Sequence, residues 1–344
     1  MFLAGVSAAA ATIQGLEEDG AEPNCVLEQE LLERHAPIVA FHPLERYFPC
    51  SLEWLLQHCC LRHTRTALRI LRPAAGDLLA HWQADHPQGS TPYLDISSSG
   101  YGGQLEGAPC YATVQEWDSC YEITYLMLYA YQGSATACWR WSWKPYDLLI
   151  RDFGRHQGDL EWVSVCLDKQ NLQPLEIGLQ AHGKVRAVTW GLCPREGERP
   201  LIRSALHGHA SSLQGEPDRV VQRRVGPLDI CDLYGRGGAV WRPSVRRVGL
   251  DEHGEPLGEE LWAKFQGRIG RSLENRFRRL TRLDGETLPV GPRILGQLVR
   301  WAQARGCLPD WIGRAEGTPG PGDPGLWFMH GIRRSGPPLR QCPY

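Results

Sequence analysis

The hydrophobic positions change period twice along the chain. Near the start, Leu27, Leu31 and Leu32 predict a short helix ending by His35. The next stretch, Ala36-Pro37-Ile38-Val39-Ala40-Phe41-His42-Pro43, is bounded by prolines and reads as extended. A helix resumes after Ser51, an N-cap residue, with Trp54, Leu55 and Cys59 on one face. Residues 62–82 carry only weak helical periodicity. From about 93 to 250 the period falls to two, in short runs of Val, Ile, Tyr and Trp separated by Gly, Pro and Asp. The clearest strand covers 121–131. Ile123, Tyr125, Met127, Tyr129 and Tyr131 share one face; Thr124, Leu126 and Leu128 share the other. Both faces are mostly apolar, which predicts a central strand. Residues 159–168, with Cys166 as a small buried apolar residue, and 185–191 predict two more.

The period lengthens again towards the C-terminus. Leu261, Phe265, Ile269, Leu273, Phe277 and Leu280 recur at about every fourth position among many arginines. They predict an amphipathic helix over 258–283, its arginines a solvated face or a contact for anionic lipid. A second helix is predicted over 292–304 from Ile294, Leu295, Leu298 and Trp301. The expected class is mainly β with helical additions: an antiparallel β-sandwich core, a helical N-terminal segment and C-terminal helices. One domain is expected over 26–330, with its β core at about 93–250 and its C-terminal helices at about 256–304. Tails of 1–25 and 331–344 flank it.

Composition narrows the function classes. A net charge of −2 gives no global field towards nucleic acid or a membrane surface, and no nucleic acid is expected as partner. No apolar run approaches the length of a transmembrane span. The apolar start, residues 1–13, imitates part of a signal peptide but lacks a basic beginning. The twelve cysteines are scattered without a C-x-x-C pair, so neither a zinc framework nor a redox motif is supported. Cytoplasmic residence, or residence at the periphery of endomembranes, is favoured over secretion.

The candidate chemistry concentrates in His156-Gln157-Gly158-Asp159-Leu160-Glu161. Asp159 and Glu161, two apart, share a strand face, and His156 precedes them across a turn that Gly158 permits. A histidine and two carboxylates at a strand start suit a divalent cation: Ca²⁺, Mg²⁺ or Mn²⁺ by oxygen ligation, Zn²⁺ or Fe²⁺ if histidines join. His207-Gly208-His209 offers two such histidines, and His182 is a weaker candidate. The alternative is a strand that opens on solvated charges. Trp139, Trp141 and Trp143 alternate, and as one face they form either core or a surface for sugar rings or lipid. Arg140, Ser142 and Lys144 between them favour the core reading.

Three motifs in this order carry a resemblance: His42-Pro43-x-Glu45-x-Tyr47-Phe48-Pro49, His156-x-Gly158-Asp159-x-Glu161 and His207-Gly208-His209-Ala210-Ser211. They resemble the vacuolar protein sorting-associated protein 62 family, over about 28–328. The segment Gly317-Thr318-Pro319-Gly320-Pro321 is similar to that family's C-terminal Gly-Pro loop, with its order altered. The family usually has Asp-Trp-Glu-His where this chain has Asp159-Leu160-Glu161-Trp162. The resemblance implies a link to vacuolar sorting and no mechanism. The H-x-x-D-x-E spacing of His156, Asp159 and Glu161 is also similar to a motif of the necrosis-inducing proteins. That second likeness implies a β-sandwich whose divalent cation assists binding of a sphingolipid sugar head group, with a further upstream aspartate, here Asp147 or Asp152.

Two functions follow from these readings. One is a cation-dependent binding protein for a glycan or lipid head group, with peripheral membrane contact. The other is a metal-dependent enzyme, hydrolytic or biosynthetic, in which His156, Asp159, Glu161 and His207 or His209 hold a metal-activated water.

Overall fold

The computed structural model describes residues 23–83, 91–141, 143, 145–249, 261–274, 278–305, 314–315 and 318–319. The apolar start, the C-terminal tail, Ser142, Lys144 and the Gly-Pro loop from Gly320 onward lie outside them. In chain order, α1 (Pro23–Arg34) leads to β1 (Ile38–Ala40), α2 (Leu52–Gln57), β2 (Cys59–His63), α3 (Ala75–Gln83) and β3 (Pro92–Ile96). The middle supplies β4 (Cys110–Glu116), β5 (Cys120–Gln132), β6 (Thr136–Trp139), β7 (Tyr146–Arg151), β8 (His156–Asp168), β9 (Pro174–Ala181) and β10 (Lys184–Thr189). After these come β11 (Arg199–Ser204), β12 (Ser211–Leu213), β13 (Arg219–Val225), β14 (Leu228–Leu233), β15 (Val240–Trp241) and β16 (Val245–Arg247). The last elements used below are β17 (Arg268–Ile269), β18 (Arg279–Arg282) and α4 (Val290–Ala304).

A six-stranded sheet in the order β10-β9-β8-β5-β4-β16 forms the middle layer. Its long strands β5 and β8 pair antiparallel from Cys120↔Asp168 to Gln132↔His156. The period-two pattern explains why they sit centrally. Ile123, Tyr125, Met127 and Tyr129 pack with Val163 and Val165 against Val39, Ile202, Leu213 and Trp241 of the sheet containing β1, β11, β12 and β15. Leu126, Leu128, Leu160 and Trp162 face the other way, onto Leu61, Leu94, Ile96 and Ile269 of the sheet containing β2, β3 and β17. A fourth sheet, β13-β14-β6-β7-β18, packs under α4 through Trp139, Leu148, Ile150, Leu280, Leu295 and Val299.

Two expectations change. The mainly β class and the antiparallel pairing of the central strands are as expected, but three of these four sheets also hold a parallel pair, β1 with β11, β16 with β4 and β17 with β3, while the fourth is antiparallel throughout. The N-terminal segment therefore contributes strands to two layers as well as helices. The predicted helix over 258–283 is absent among the described residues, which form a short 3-10 turn at Leu261–Lys264 followed by β17, Leu273–Glu274 and β18. A strict repeat of four drifts about 40° round an α-helix at each step, so it does not hold one face. Gly267 and Gly270 interrupt the run, and Gly270 takes φ +106°. The Ser51 cap is as expected, its side chain accepting from the Trp54 amide, and α4 matches the second predicted helix.

Candidate functional site

The site grows from the start of β8. Gly158 has φ +67°, a conformation that side chains disfavour, and it reverses the simple alternation of the strand. Gln157 therefore points to the β3 layer. Its amide donates to the Ile96 carbonyl at 2.8 Å and accepts from the Ile96 and Arg271 amides at 3.0 Å each. Asp159, opposite Tyr129, faces the β11 layer instead. There its carboxylate meets Nδ1 of His209 at 2.8 Å. The His209 ring is fully buried, stacked on Tyr129 at 3.8 Å, and its Nε2 donates to the Tyr47 carbonyl at 3.1 Å.

The three sequence motifs converge on this point. Glu45 is buried and works as a clamp: Oε1 accepts from the amides of Arg46 and Tyr47, and Oε2 accepts from the His207 amide at 2.6 Å. The first motif thereby fixes the His207–His209 loop, which sets His209 on Asp159 of the second motif. His207 and His209 both lie in the left-handed region, at φ +62° and +55°. Their rings separate: His207 packs on Tyr47, and burial pushes its pKa down. His182 is left-handed too, at φ +51°, and with Gly183 at +73° it makes the two-residue turn joining β9 to β10. Two successive positive φ values are the signature of the type I′ hairpin. Among the described residues, four of the six non-glycine positions with positive φ are His182, His207, His209 and Asp152, all candidates from sequence. Such conformations cost of order 1 kcal/mol or more, and they gather where a site is built.

Glu161 is the site's unanswered group. It lies two residues beyond Asp159, 5 % exposed, and its Oε2 is buried without a hydrogen-bond partner. Burial, then the charges of Asp159 and Asp232, push its pKa well above the usual carboxylate range. Asp232, on β14, is held by His182 Nε2 at 2.9 and 3.0 Å and by Gln222 at 2.6 Å. The bond to Asp232 raises the pKa of His182 against the opposing effect of burial.

The remaining candidates stand apart. His156 turns its Nδ1 to the Gly158 carbonyl at 2.7 Å. Asp152 is occupied by Arg155 at 3.0 Å and Arg278 at 3.5 Å, and Asp147 pairs with Arg219. Among the described residues, no group of three or more His, Cys, Asp or Glu side chains is placed so that it could hold a metal ion. The tryptophans do not form one face, because β6 ends at Trp139. Trp139 is core, whereas Trp141 and Trp143 are 71 % and 104 % exposed on the β6–β7 loop. Sequence reasoning gave no site role to Glu45, Tyr129 or Asp232. Glu45 stood inside a motif already recognised, and Asp232 was a charge inside the apolar run Leu228-Asp229-Ile230-Cys231-Asp232-Leu233.

The profile of the family described as vacuolar protein sorting-associated protein 62 matches residues 11–222. The chain belongs to that family. All three converging motifs fall within the matched segment, and α4 falls beyond it. None of the curated proteins matches the chain significantly. Among solved structures, the necrosis and ethylene inducing protein 2 from the agent of cocoa's witches' broom disease is 13 % identical. That comparison covers 63 % of this chain and 72 % of the other at a TM-score of 0.34. The non-toxic HaNLP3 protein is 11 % identical, covering 67 % and 77 % at 0.32. NLPPya in complex with glucosamine is 13 % identical, covering 64 % and 72 % at 0.31.

One prediction follows from the β9–β10 turn. Asp232→Asn removes the anion that holds the proton on His182, so the His182 titration moves down, towards or below about 6.5. In the native protein the raised pKa supplies stability below the unfolded value. That stability is lost as pH rises through the folded value. Proton NMR of the His182 ring across pH 5–9 checks this; an unmoved titration refutes the assignment.

Proposed function

We propose that this chain is a divalent-cation-dependent binding protein for a hydroxyl-rich head group, of a glycan or a lipid. Glu161 and Asp159 would be the first oxygen ligands, with Asp232 adding to the field. The observation that carries the reading is the Glu161 oxygen, buried and unpartnered, with the charges of Asp159 and Asp232 acting on it. A buried carboxyl without a hydrogen bond is costly, and a hard cation is the partner such oxygens accept. His182, bonded to Asp232 and half exposed, marks the side from which solvent reaches the cluster. When bound, the cation supplies a positive centre for sugar hydroxyl oxygens. His209 and Glu45 keep Asp159 and its loop in place. Participation in vacuolar protein sorting belongs to the same proposal and rests on the family description.

The test is the metal content of purified protein by mass spectrometry, wild type beside Asp159→Ala/Glu161→Ala, followed by calorimetric titration with inositol and with glucosamine. Stoichiometric metal in the wild type only, with sugar binding that needs it, supports the reading. Equal metal in both proteins, or none with no stabilisation by added Ca²⁺, Mg²⁺, Mn²⁺ or Zn²⁺, sinks it. Sugar binding without metal would leave the carboxylates as direct partners of the ligand and remove the cation.

A further inference from the structure

A second surface lies on the fourth sheet, where α4 packs. This helix uses only part of its apolar content inward: Leu295 and Val299 pack on the sheet. Ile294, Leu298 and Trp301, at i, i+4 and i+7, form a stripe that stays 51–58 % exposed. The stripe has a neighbour of the same character. Gly291, in the first turn of α4, sits so close to the Trp139 ring that a methyl on its Cα would lie 3.2 Å from the indole. Trp139 is the last residue of β6, so the loop bearing Trp141 and Trp143 opens beside the first turn of α4. Five large apolar side chains, three of them tryptophans, thus face solvent on adjoining elements.

Charge selects the occupant. The sequence of α4 contains Arg293 and Arg300 and no acidic residue, and Arg305 follows it. The Arg305 guanidinium lies 4.4 Å from the Trp301 ring centre. Arg140, at the start of the tryptophan loop, is paired with Asp229, and Arg278, whose carbonyl accepts from Arg300 of the helix, is paired with Asp152; Arg279 beside it is exposed. Asp284 and Glu286, the acidic groups between β18 and α4, share the single partner Arg282, which leaves one negative charge there against Arg293, Arg300 and Arg305 of the helix and its end. Exposed tryptophan with arginine on a helix that buries its opposite side is the composition of an interfacial surface. Indole rings prefer the head-group level of a bilayer, and arginines answer its anionic lipids.

We propose that α4, together with the exposed side chains of Trp141 and Trp143, forms a docking face for an anionic lipid surface. The face does not depend on a cation at Glu161, so the two readings fail separately. The experiment is co-sedimentation of the full chain with vesicles of phosphatidylcholine alone and of phosphatidylcholine with phosphatidylserine, without divalent cation and with chelator. Tryptophan fluorescence is read in parallel with brominated lipid. The expected result is binding that requires phosphatidylserine, weakens with salt, and is quenched by the bromines. Trp141→Ala/Trp143→Ala, at positions too exposed to support the fold, should bind roughly tenfold more weakly at unchanged thermal stability. Leu298→Glu should do the same from the helix side. Absence of vesicle binding, or binding unaltered in both variants, overturns the proposal. So does a dimer in solution that Leu298→Glu dissociates, since a second copy would then cover the stripe.

Discussion

Gly158→Ala is expected to destabilise the protein by about 3 kcal/mol or more, and to lower its melting temperature by roughly 6–10 °C. Two costs combine. At φ +67° any side chain is strained, worth about 1 kcal/mol. The added methyl would also stand 2.0 Å from the Ile269 carbonyl oxygen and 2.6 Å from its Cγ2. That neighbour is backbone, held in β17 by its pairing with β3, and it does not yield cheaply. The contact is reciprocal, because a methyl on Gly270 would lie 2.1 Å from the Gln157 carbonyl oxygen. Gly107→Ala separates the two costs: its φ is +76° with no atom within 4 Å, so it should lose only about 1 kcal/mol. Thermal denaturation of both variants decides it. Equal small losses would mean that β17 moves aside and that Gly158 does not fix the layer spacing. A large loss confined to Gly158→Ala should also shift the His209 ring signals, since the same residue aims Asp159 at His209.

What the sequence could tell and what it could not divide along physical lines. Strand β5 was legible because alternation with both faces apolar has one meaning, a strand covered on both sides, and Leu126 and Tyr125 duly pack into different layers. The Ser51 cap and α4 follow from equally local rules. The described residues of 258–283 form no helix because Gly267 and Gly270 outweigh an apolar repeat of four that drifts around the helix. The site was legible in its parts and not in its assembly. Asp159, Glu161 and His209 were all named, and Asp159 and His209 do meet. Yet Asp232 reaches the cluster from the fourth sheet, and nothing local to its strand announces a long-range neighbour. The left-handed histidines were also opaque. His182-Gly183 builds the turn that Asn-Gly more often builds, so its histidine reads as a ligand when its backbone role is the first constraint. Trp141 and Trp143 show the converse error, in which alternation was extended past the end of a four-residue strand.

Glu161→Gln is the substitution that bears most directly on the cluster, and its expected effect reverses with conditions. In the wild type without cation, the raised pKa of Glu161 means that the folded protein favours the protonated carboxyl. A group raised in the folded state contributes stability that is complete below its unfolded pKa, about 4.5, and is lost as pH rises through the folded value. The wild type should therefore lose up to about 1.4 kcal/mol per pH unit across that window from this group alone. Glutamine is neutral at every pH and similar in shape, so the variant escapes the loss. Its melting temperature should exceed that of the wild type by a margin that widens in chelator as the pH rises above about 5. Adding the cation should reverse the order, because a bound ion stabilises the wild type by mass action while the variant lacks the charge to hold it. Melting curves in chelator and in excess Ca²⁺ or Mn²⁺ make four comparisons. A margin that grows with pH and collapses only with cation requires both the buried charge and its ionic partner. A margin that grows with pH and ignores the cation would keep Glu161 as a buried acid neutralised by its own proton, and would return the head-group reading to the exposed rim around His182.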